Sequence, residues 1–336
     1  MSSREGRFGR NLADLAGLLA LPLAAAVLPW RLTRRLLRWL AMHARTFQPE
    51  SEAAWAVASR ERPGPDGAGW KRRYRLVRWV ERADTGLTLA RGARWWRARV
   101  DVDGEWPPPR GGQLLLTFHW GAGNWIWRML REQGIAAHFL ARRPGPTDLG
   151  ASRVALWYGR LRGRALRRIG SLGPLYTGGA GAAVRAALAR GESVVAMLDL
   201  PSTPSQHPRP AELLGRSVQW PTRLLDVAAE ADVPVTVFSC GFDADSGRRR
   251  LRVEPLGRID AASAVQRYAA HLERRLHEAP ELWMMWHEFP AMLAGSARGT
   301  GEAGTHVPEV EAHGIMRGNH SMDGRPAAPL NRNGES

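Results

Sequence analysis

The chain of 336 residues contains little cysteine and almost no lysine, and each shortage limits what the protein can be. Its one cysteine, Cys240, excludes an internal disulfide and any metal site built from several cysteines. Cys240 follows the apolar run Val235 to Ser239, which predicts a buried and inert thiol. Lysine occurs once, at Lys71, so nearly all of the 48 basic side chains are arginines. This preference says little about function, because a GC-rich genome also produces it.

The sequence also lacks an N-terminal apolar run of full membrane-spanning length. The segment from Leu15 to Trp30 has sixteen residues without a charge, whereas a span needs roughly 20. A basic start and an apolar middle resemble a signal peptide, but no cleavage site of small residues follows. We therefore predict that residues 11–45 form an uncleaved membrane anchor, which either spans the bilayer or lies in its interface.

The basic half of this anchor has the pattern of an amphipathic helix. Four arginines share one helical face and four apolar side chains share another: Arg31, Arg34, Arg35 and Arg38 on the first, Leu32, Leu36, Trp39 and Leu40 on the second. This is typical of a helix lying on anionic lipid, with the chain beyond it on the cytoplasmic side. The alternative is an amphipathic helix that packs on the domain.

The net charge of +16 and the fifteen tryptophans predict a polyanionic partner. Many tryptophans lie beside arginines, as in Arg94-Trp95-Trp96-Arg97. Such pairs suit a bilayer interface, and they also suit single-stranded nucleic acid. The apolar N-terminus and the absence of a recognisable nucleic-acid motif favour membrane lipid over nucleic acid.

Beyond the connector at 104–112, apolar strand-like runs alternate with helical segments. We predict a mixed, mainly parallel α/β sheet flanked by helices. The predicted strands include 114–118, 136–141, 193–198 and 233–240, with an antiparallel strand within 248–259. The predicted domains are an anchor and basic helix at 1–45, a catalytic domain at 46–294 and a disordered tail at 295–336.

The stretch "TFHWGAGNW" places His119 where the first of these strands ends and a helix is about to begin. In open α/β sheets, functional sites form at such strand ends. Gly121 and Gly123 follow and allow close approach of backbone and substrate. We therefore take this bend as the candidate site.

Several segments in order resemble the lysophospholipid acyltransferase superfamily, in particular its lipid A biosynthesis (lauroyl/myristoyl) branch. The N-terminal anchor and the strand ending in His and Gly-Asn-Trp resemble that branch, with two extra residues after His119. Further similar segments are Arg143-Pro144, "LRRIG" at 166–170, "ALARGESVVAMLDLP" at 187–201, "ELLGRSVQWPTRLLDVAAEADVPVTV" at 212–237 and "APELWMMWHEF" at 279–289. The resemblance covers roughly residues 11–290 and depends on the order and spacing of these segments.

The resemblance implies a glycerophosphate-acyltransferase-like fold at the cytoplasmic face of a bacterial inner membrane. It implies transfer of a fatty acyl group from an acyl carrier protein or coenzyme A thioester to a hydroxyl of a lipid or glycolipid, without a metal or bound cofactor. His119 is then the general base, because imidazole can take the hydroxyl proton at neutral pH. Backbone N–H groups of the glycine bend would stabilise the oxyanion. Arg143 is the candidate for phosphate contact, and Trp125 for a wall of the acyl groove or for core packing.

The chain departs from the family where a carboxylate normally follows the histidine by five residues, because Asn124 stands there. Asn124 can hold the imidazole through its carbonyl oxygen, which makes it a second catalytic candidate. Alternatively, a distant carboxylate such as Asp199 takes over; Asp199 is otherwise a substrate-site or turn residue. The third possibility is a membrane-binding homologue that has lost the dyad and its activity. A serine-hydrolase assignment lacks the Gly-x-Ser-x-Gly elbow.

Overall fold

A computed structural model describes residues 15–62, 66–108, 111–142 and 153–293. The predicted tail at 295–336, residues 11–14 of the predicted anchor and the candidate Arg143 lie outside these residues.

The core of the fold is a seven-stranded, mostly parallel sheet in the order β1-β9-β8-β2-β5-β3-β4. The strands, including a separate antiparallel β6–β7 hairpin, are β1 (Val100–Asp103), β2 (Leu114–Thr117), β3 (Ala137–Ala141), β4 (Ser171–Tyr176), β5 (Ser193–Met197), β6 (Pro208–Leu213), β7 (Arg216–Pro221), β8 (Val235–Phe242) and β9 (Arg249–Gly257). Strands β8, β2, β5, β3 and β4 run parallel to one another, whereas β9 is antiparallel to β8. Strand β1 pairs with β9 and runs parallel to it. The α/β class and the antiparallel strand within 248–259 are confirmed.

Helices flank this sheet, as predicted. The α-helices of the described residues are α1 (Leu21–Val27), α2 (Trp30–His43), α3 (Gln48–Glu61), α4 (Gly67–Ala90), α5 (Ala93–Arg97), α6 (Ile126–Glu132), α7 (Arg153–Ile169), α8 (Ala180–Ala189), α9 (Arg223–Glu230), α10 (Ala261–Glu278) and α11 (Phe289–Met292). Every residue of β2 and β8 is buried, as expected for central strands covered on both faces.

The N-terminal segment differs from the predicted anchor. Within the described residues, no helix has both the length and the apolar character that a bilayer crossing requires. A π-helical segment, Leu15–Ala20, leads into the seven-residue α1, and α2 follows after Pro29. Thr33, Leu37 and Ala41 recur on the buried face of α2, and α2 packs against α4. The spanning anchor is therefore unsupported, while the packed amphipathic helix matches the alternative.

A buried arginine connects α2 to the sheet. The Arg249 guanidinium on β9 forms an ion pair with Asp84 of α4, and both side chains are fully buried. Arg249 lies 4.4 Å from the ring centroid of Trp30 and 5.1 Å from that of Trp96. Burial raises the pKa of Asp84 to about 6, although Arg249 opposes this shift. These tryptophans, which the sequence suggested for a lipid interface, therefore hold a cation inside the protein.

Candidate active site

The register of the two central strands brings His119 next to Asp199. Strands β2 and β5 are parallel neighbours, and Thr117 lies opposite Met197. Two residues further along each strand, the chain reaches His119 and Asp199. Both residues therefore lie at the carboxyl edge of the sheet, where parallel strands place side chains from distant parts of the sequence together.

Asp199 makes two hydrogen bonds to His119. The imidazole Nδ1 lies 3.0 Å from Oδ1 of Asp199, and the backbone N–H of His119 donates to Oδ2 at 2.9 Å. Because an ionised carboxylate can only accept, the ring hydrogen belongs on Nδ1, and Nε2 keeps its lone pair. This is the tautomer that a general base requires.

The indole of Trp283 and the hydroxyl of Tyr268 lie beside the Asp199 carboxylate, which is 0% exposed. The indole Nε1 of Trp283 donates to Oδ2 at 2.9 Å. The Tyr268 hydroxyl lies 3.4 Å from Oδ1 but only 2.8 Å from the carbonyl oxygen of Thr117, which is the better acceptor. Burial raises the pKa of Tyr268 well above its usual value, so this phenol stays protonated. A buried carboxylate needs donors such as the Trp283 indole and the His119 backbone N–H to offset its lost hydration.

The segment 282–284 holds the loop that carries His119. The Met284 N–H donates to the carbonyl oxygen of His119 at 2.8 Å, and the Gly121 N–H donates to that of Leu282 at 2.9 Å. These bonds place Trp283 directly beside Asp199. The similarity at 279–289 thus falls on a segment that supports the candidate site.

The His119 ring is not enclosed by the core. Its side chain is 19% exposed. Among the residues that the structure describes, none hydrogen-bonds Nε2, whereas Nδ1 is occupied by Asp199. The free lone pair is thus on the nitrogen that does not face the carboxylate.

Asn124 does not take the orienting position predicted for it. Its side-chain oxygen accepts a hydrogen bond of 2.6 Å from Nη2 of Arg162, a buried residue of α7. The carboxylate on Nδ1 of His119 comes instead from Asp199. Asn124 thus ties the loop after His119 to α7, and Asp199, one of the sequence alternatives, orients the ring.

The two glycines of the bend differ in what surrounds them. Gly121 has a φ of +61°, and a Cβ there would overlap the carbonyl oxygen of Cys240. The tight packing of the loop on β8 therefore accounts for Gly121 without a substrate. Gly123 is half-buried, and a Cβ there would lie 3.4 Å from the Cβ of Cys240. In the described part of the chain its N–H has no hydrogen-bond partner, so it remains a candidate oxyanion donor.

Trp125 is part of the core and does not line an open groove. Its Nε1 donates to the carbonyl oxygen of Ala122 at 2.6 Å, and its ring stacks on Trp96 with centroids 6.1 Å apart. Trp127 is also buried and contacts Phe139. Of the alternatives weighed for these rings, the structure supports core packing.

A cavity of about 650 Å³ lies beside the segment that pairs with the His119 loop. Its walls include Trp120 and Leu282, but neither His119 nor Asp199. In the described residues, no three His, Cys, Asp or Glu side chains are grouped so that they could hold a metal ion.

The support of Asp199 was not foreseen from the sequence. Tyr268 and Trp283 lie 69 and 84 residues from Asp199 along the chain. Trp283 belongs to the similar segment 279–289, but nothing in that segment indicates Asp199 as its partner, and Tyr268 belongs to no recognisable pattern. The only usable signal was the position of Asp199 directly after a buried strand.

We compared the chain with models of known protein families and with curated proteins, and neither comparison found a match.

Proposed function

We propose that the protein is an O-acyltransferase in which His119 is the general base and Asp199 orients and stabilises it. The contact of 3.0 Å between Nδ1 of His119 and Oδ1 of Asp199 carries this proposal. It restores the histidine–carboxylate pair that the sequence lacks at position 124. A dyad of this kind directs the unprotonated Nε2 away from the carboxylate, where a substrate hydroxyl can meet it.

The reaction follows from these positions. Nε2 accepts the hydroxyl proton as the alcohol oxygen attacks the carbonyl carbon of a thioester. Asp199 stabilises the imidazolium that forms. The N–H of Gly123 is the loop donor available to the tetrahedral oxyanion. As the carbon–sulfur bond breaks, the imidazolium returns its proton to the departing thiolate, which leaves an ester and a free thiol.

The proposed substrates come from the family resemblance. The donor is an acyl carrier protein or coenzyme A thioester, and the acceptor is a lipid or glycolipid hydroxyl of the lipid A type. The fold would then be of the glycerophosphate-acyltransferase type, working at the cytoplasmic face of a bacterial inner membrane. The finer fold type comes from the sequence resemblance, whereas the structure itself shows the mixed α/β class.

The outward face of α2 supports a location at the membrane surface. Leu32, Trp39 and Met42 are exposed there, and so are Arg31 and Arg35. Exposed apolar side chains among cations are what a helix at an anionic lipid surface presents. No membrane-spanning helix is needed for this mode of binding.

The alternative function is a membrane-binding homologue without catalysis. In the sequence, this alternative is favoured by the absence of a carboxylate at position 124. The hydrogen bond between His119 and Asp199 favours the enzyme instead.

The decisive experiment compares lipids by mass spectrometry in a strain that lacks the protein and is complemented with either the wild type or His119→Ala. We expect the wild type to restore an acyl chain that His119→Ala does not restore. His138→Ala is the matched control, because His138 on β3 contacts Glu192 and the Gly173 carbonyl, away from this loop. Equal lipids in the His119→Ala and wild-type strains would contradict the enzyme assignment.

A further inference from the structure

A second chain of polar side chains joins β8, α10 and β9 outside the site described above. The Ser239 hydroxyl lies 3.2 Å from Nε2 of His271, and Nδ1 of His271 lies 3.0 Å from Oε2 of Glu254. A serine, a histidine and a carboxylate in this order are the parts of a nucleophile–base–acid triad. The His119 site uses none of these three side chains.

The charges around this chain determine the direction of its hydrogen bonds. The hydrogen bond from His271, together with Arg267, lowers the pKa of Glu254 to about 2, so Glu254 is a carboxylate and accepts from Nδ1. Arg267 and Arg274 both form ion pairs with it. Burial lowers the pKa of His271, although Glu254 opposes this. A neutral His271 with its hydrogen on Nδ1 leaves Nε2 to accept the Ser239 proton.

Ser239 is only 1% exposed, but it belongs to the wall of the cavity of about 650 Å³. This volume is in the range of ligand pockets. Trp55, Trp70 and Trp120 supply aromatic surface to the same walls. Ser239 therefore lies at the inner wall of a cavity that is large enough for a small ligand.

Two arginines of the cavity wall lie close to this triad in the fold. Arg252 is directly opposite Ser239 in the β8–β9 ladder, and Arg275 follows His271 by one helical turn on α10. Nε and Nη1 of Arg275 are buried and have no hydrogen-bond partner within the described residues. Buried donors without acceptors are costly to a protein, and they can receive an oxyanion when a substrate binds.

We propose that Ser239 and His271, positioned by Glu254, form a second catalytic site that hydrolyses small carboxylic esters or thioesters entering this cavity. Ser239 Oγ attacks the carbonyl carbon while His271 Nε2 takes the hydroxyl proton. The carbon–oxygen or carbon–sulfur bond breaks, and the leaving alcohol or thiol receives that proton, which leaves an acyl-serine. Water then attacks the acyl-serine, giving its proton through His271 to Ser239 and releasing a carboxylic acid.

The experiment uses diisopropyl fluorophosphate, a small reagent that phosphorylates activated serines, and p-nitrophenyl acetate as a small ester. The full-length wild type is treated with the reagent, and the adduct is located by peptide mass spectrometry. The same is done with Ser239→Ala, His271→Gln and His119→Ala, and thermal unfolding by circular dichroism checks each fold. Ser171→Ala is the matched control, because Ser171 is a buried strand serine whose hydroxyl, among the described residues, has only a backbone partner.

We expect one adduct on Ser239 in the wild type, His119→Ala and Ser171→Ala. The labelling rate of His271→Gln should be at least about 10²-fold lower than that of the wild type, since this variant lacks the base. Its rate of p-nitrophenyl acetate hydrolysis should fall in parallel. No adduct on Ser239 in the wild type would overturn the proposal, and so would equal labelling rates in His271→Gln and the wild type. Both outcomes are measurable even if Ser239→Ala does not fold. Because His119→Ala should label normally, failure here is distinguishable from failure of the acyltransferase proposal.

Discussion

At the scale of single residues, His119 and the Asp199 carboxylate that bonds its ring are 80 residues apart in the chain. The position five residues after His119 is occupied by Asn124, whose oxygen is engaged by Arg162 at 2.6 Å. In the proposed mechanism, Asp199 at the end of another strand takes the electrostatic function of the acid that the family resemblance implies at position 124. Only a carboxylate can both fix the tautomer and stabilise an imidazolium by its charge.

Replacing Asp199 with Asn should reduce the acyl-transfer rate about 10²- to 10⁴-fold, the range of general-base catalysis. The amide keeps the size of the side chain but loses the charge. Acyl transfer from a purified thioester donor, followed by release of free thiol, measures this effect. Asn124→Ala is the comparison, and it should change stability through Arg162 while largely retaining the rate. A wild-type rate in Asp199→Asn would show that Asp199 has no part in catalysis.

At the scale of elements, the loop after β2 is held between β8 and the segment 282–284. Two backbone hydrogen bonds link it to that segment, and Gly121 packs against the backbone of β8. The bend is therefore a rigid support for His119.

The two glycines of this loop provide a matched pair of substitutions. Gly121→Ala places a Cβ into the Cys240 carbonyl at a positive φ, and it should cost about 1–3 kcal/mol of unfolding free energy. Gly123→Ala meets Cys240 only at an ordinary contact distance of 3.4 Å and should cost less. Urea denaturation of both variants measures the difference. Equal destabilisation would mean that the loop does not pack on β8 as described.

Helix α10 makes the stability of the protein depend on pH through His271. Burial lowers the pKa of His271 below its ordinary 6.5, and Arg275 and Arg274 act in the same direction against Glu254. As the pH falls below 6.5, His271 therefore takes up a proton in the unfolded chain but not in the folded protein. The free energy of unfolding therefore falls by up to about 1.4 kcal/mol for each pH unit below this value.

Urea denaturation between pH 7 and pH 5.5 measures this loss. His271→Gln should reduce the slope of unfolding free energy against pH, because glutamine does not titrate. His287, whose pKa burial also lowers, contributes a slope of the same sign, and Asp84, whose pKa burial raises to about 6, contributes one of the opposite sign. In His277→Gln, an exposed control on the same helix, the wild-type slope should persist. An unchanged slope in His271→Gln would contradict the assignment to this residue.

At the scale of the whole molecule, the N-terminal helices belong to the same packed core as the sheet. Leu21 and Ala25 of α1 and Leu37 of α2 are buried in it, whereas Trp39 on the opposite side of α2 is 54% exposed. The excess of positive charge and this exposed face predict binding to anionic membranes that weakens with salt.

Replacing Trp39 with Glu should weaken binding to vesicles of anionic phospholipid about tenfold, which corresponds to about 1.4 kcal/mol. Co-sedimentation of the full-length protein with these vesicles, at low and high salt, measures this change. Leu172→Glu introduces the same charge at an exposed position of β4, at the opposite edge of the sheet from β9, which contacts α2 through Arg249 and Trp30. Equal losses in the two variants would place the membrane contact elsewhere.

Much of the fold could be predicted because it depends on local patterns. The alternation of buried strands and amphipathic helices after residue 113 indicates an α/β sheet, and it places His119 at the end of β2. The region before it was less predictable. Helix α4 carries three charged residues that are nevertheless buried, Arg78, Glu81 and Asp84. Glu81 pairs with Arg78 within the helix, whereas Arg78 and Asp84 also find partners on α3 and β9, which no local pattern reveals.

The order of residues thus determined that an imidazole stands at a strand end before a glycine bend, because strand and turn propensities act over a few neighbouring residues. The tertiary structure decided which groups complete the site. Asp199 meets His119 through the register of β2 with β5, and Tyr268 and Trp283 reach Asp199 through the packing of α10 and the segment 282–284. Contacts between distant segments depend on how the whole chain packs, and packing is a property of the folded molecule.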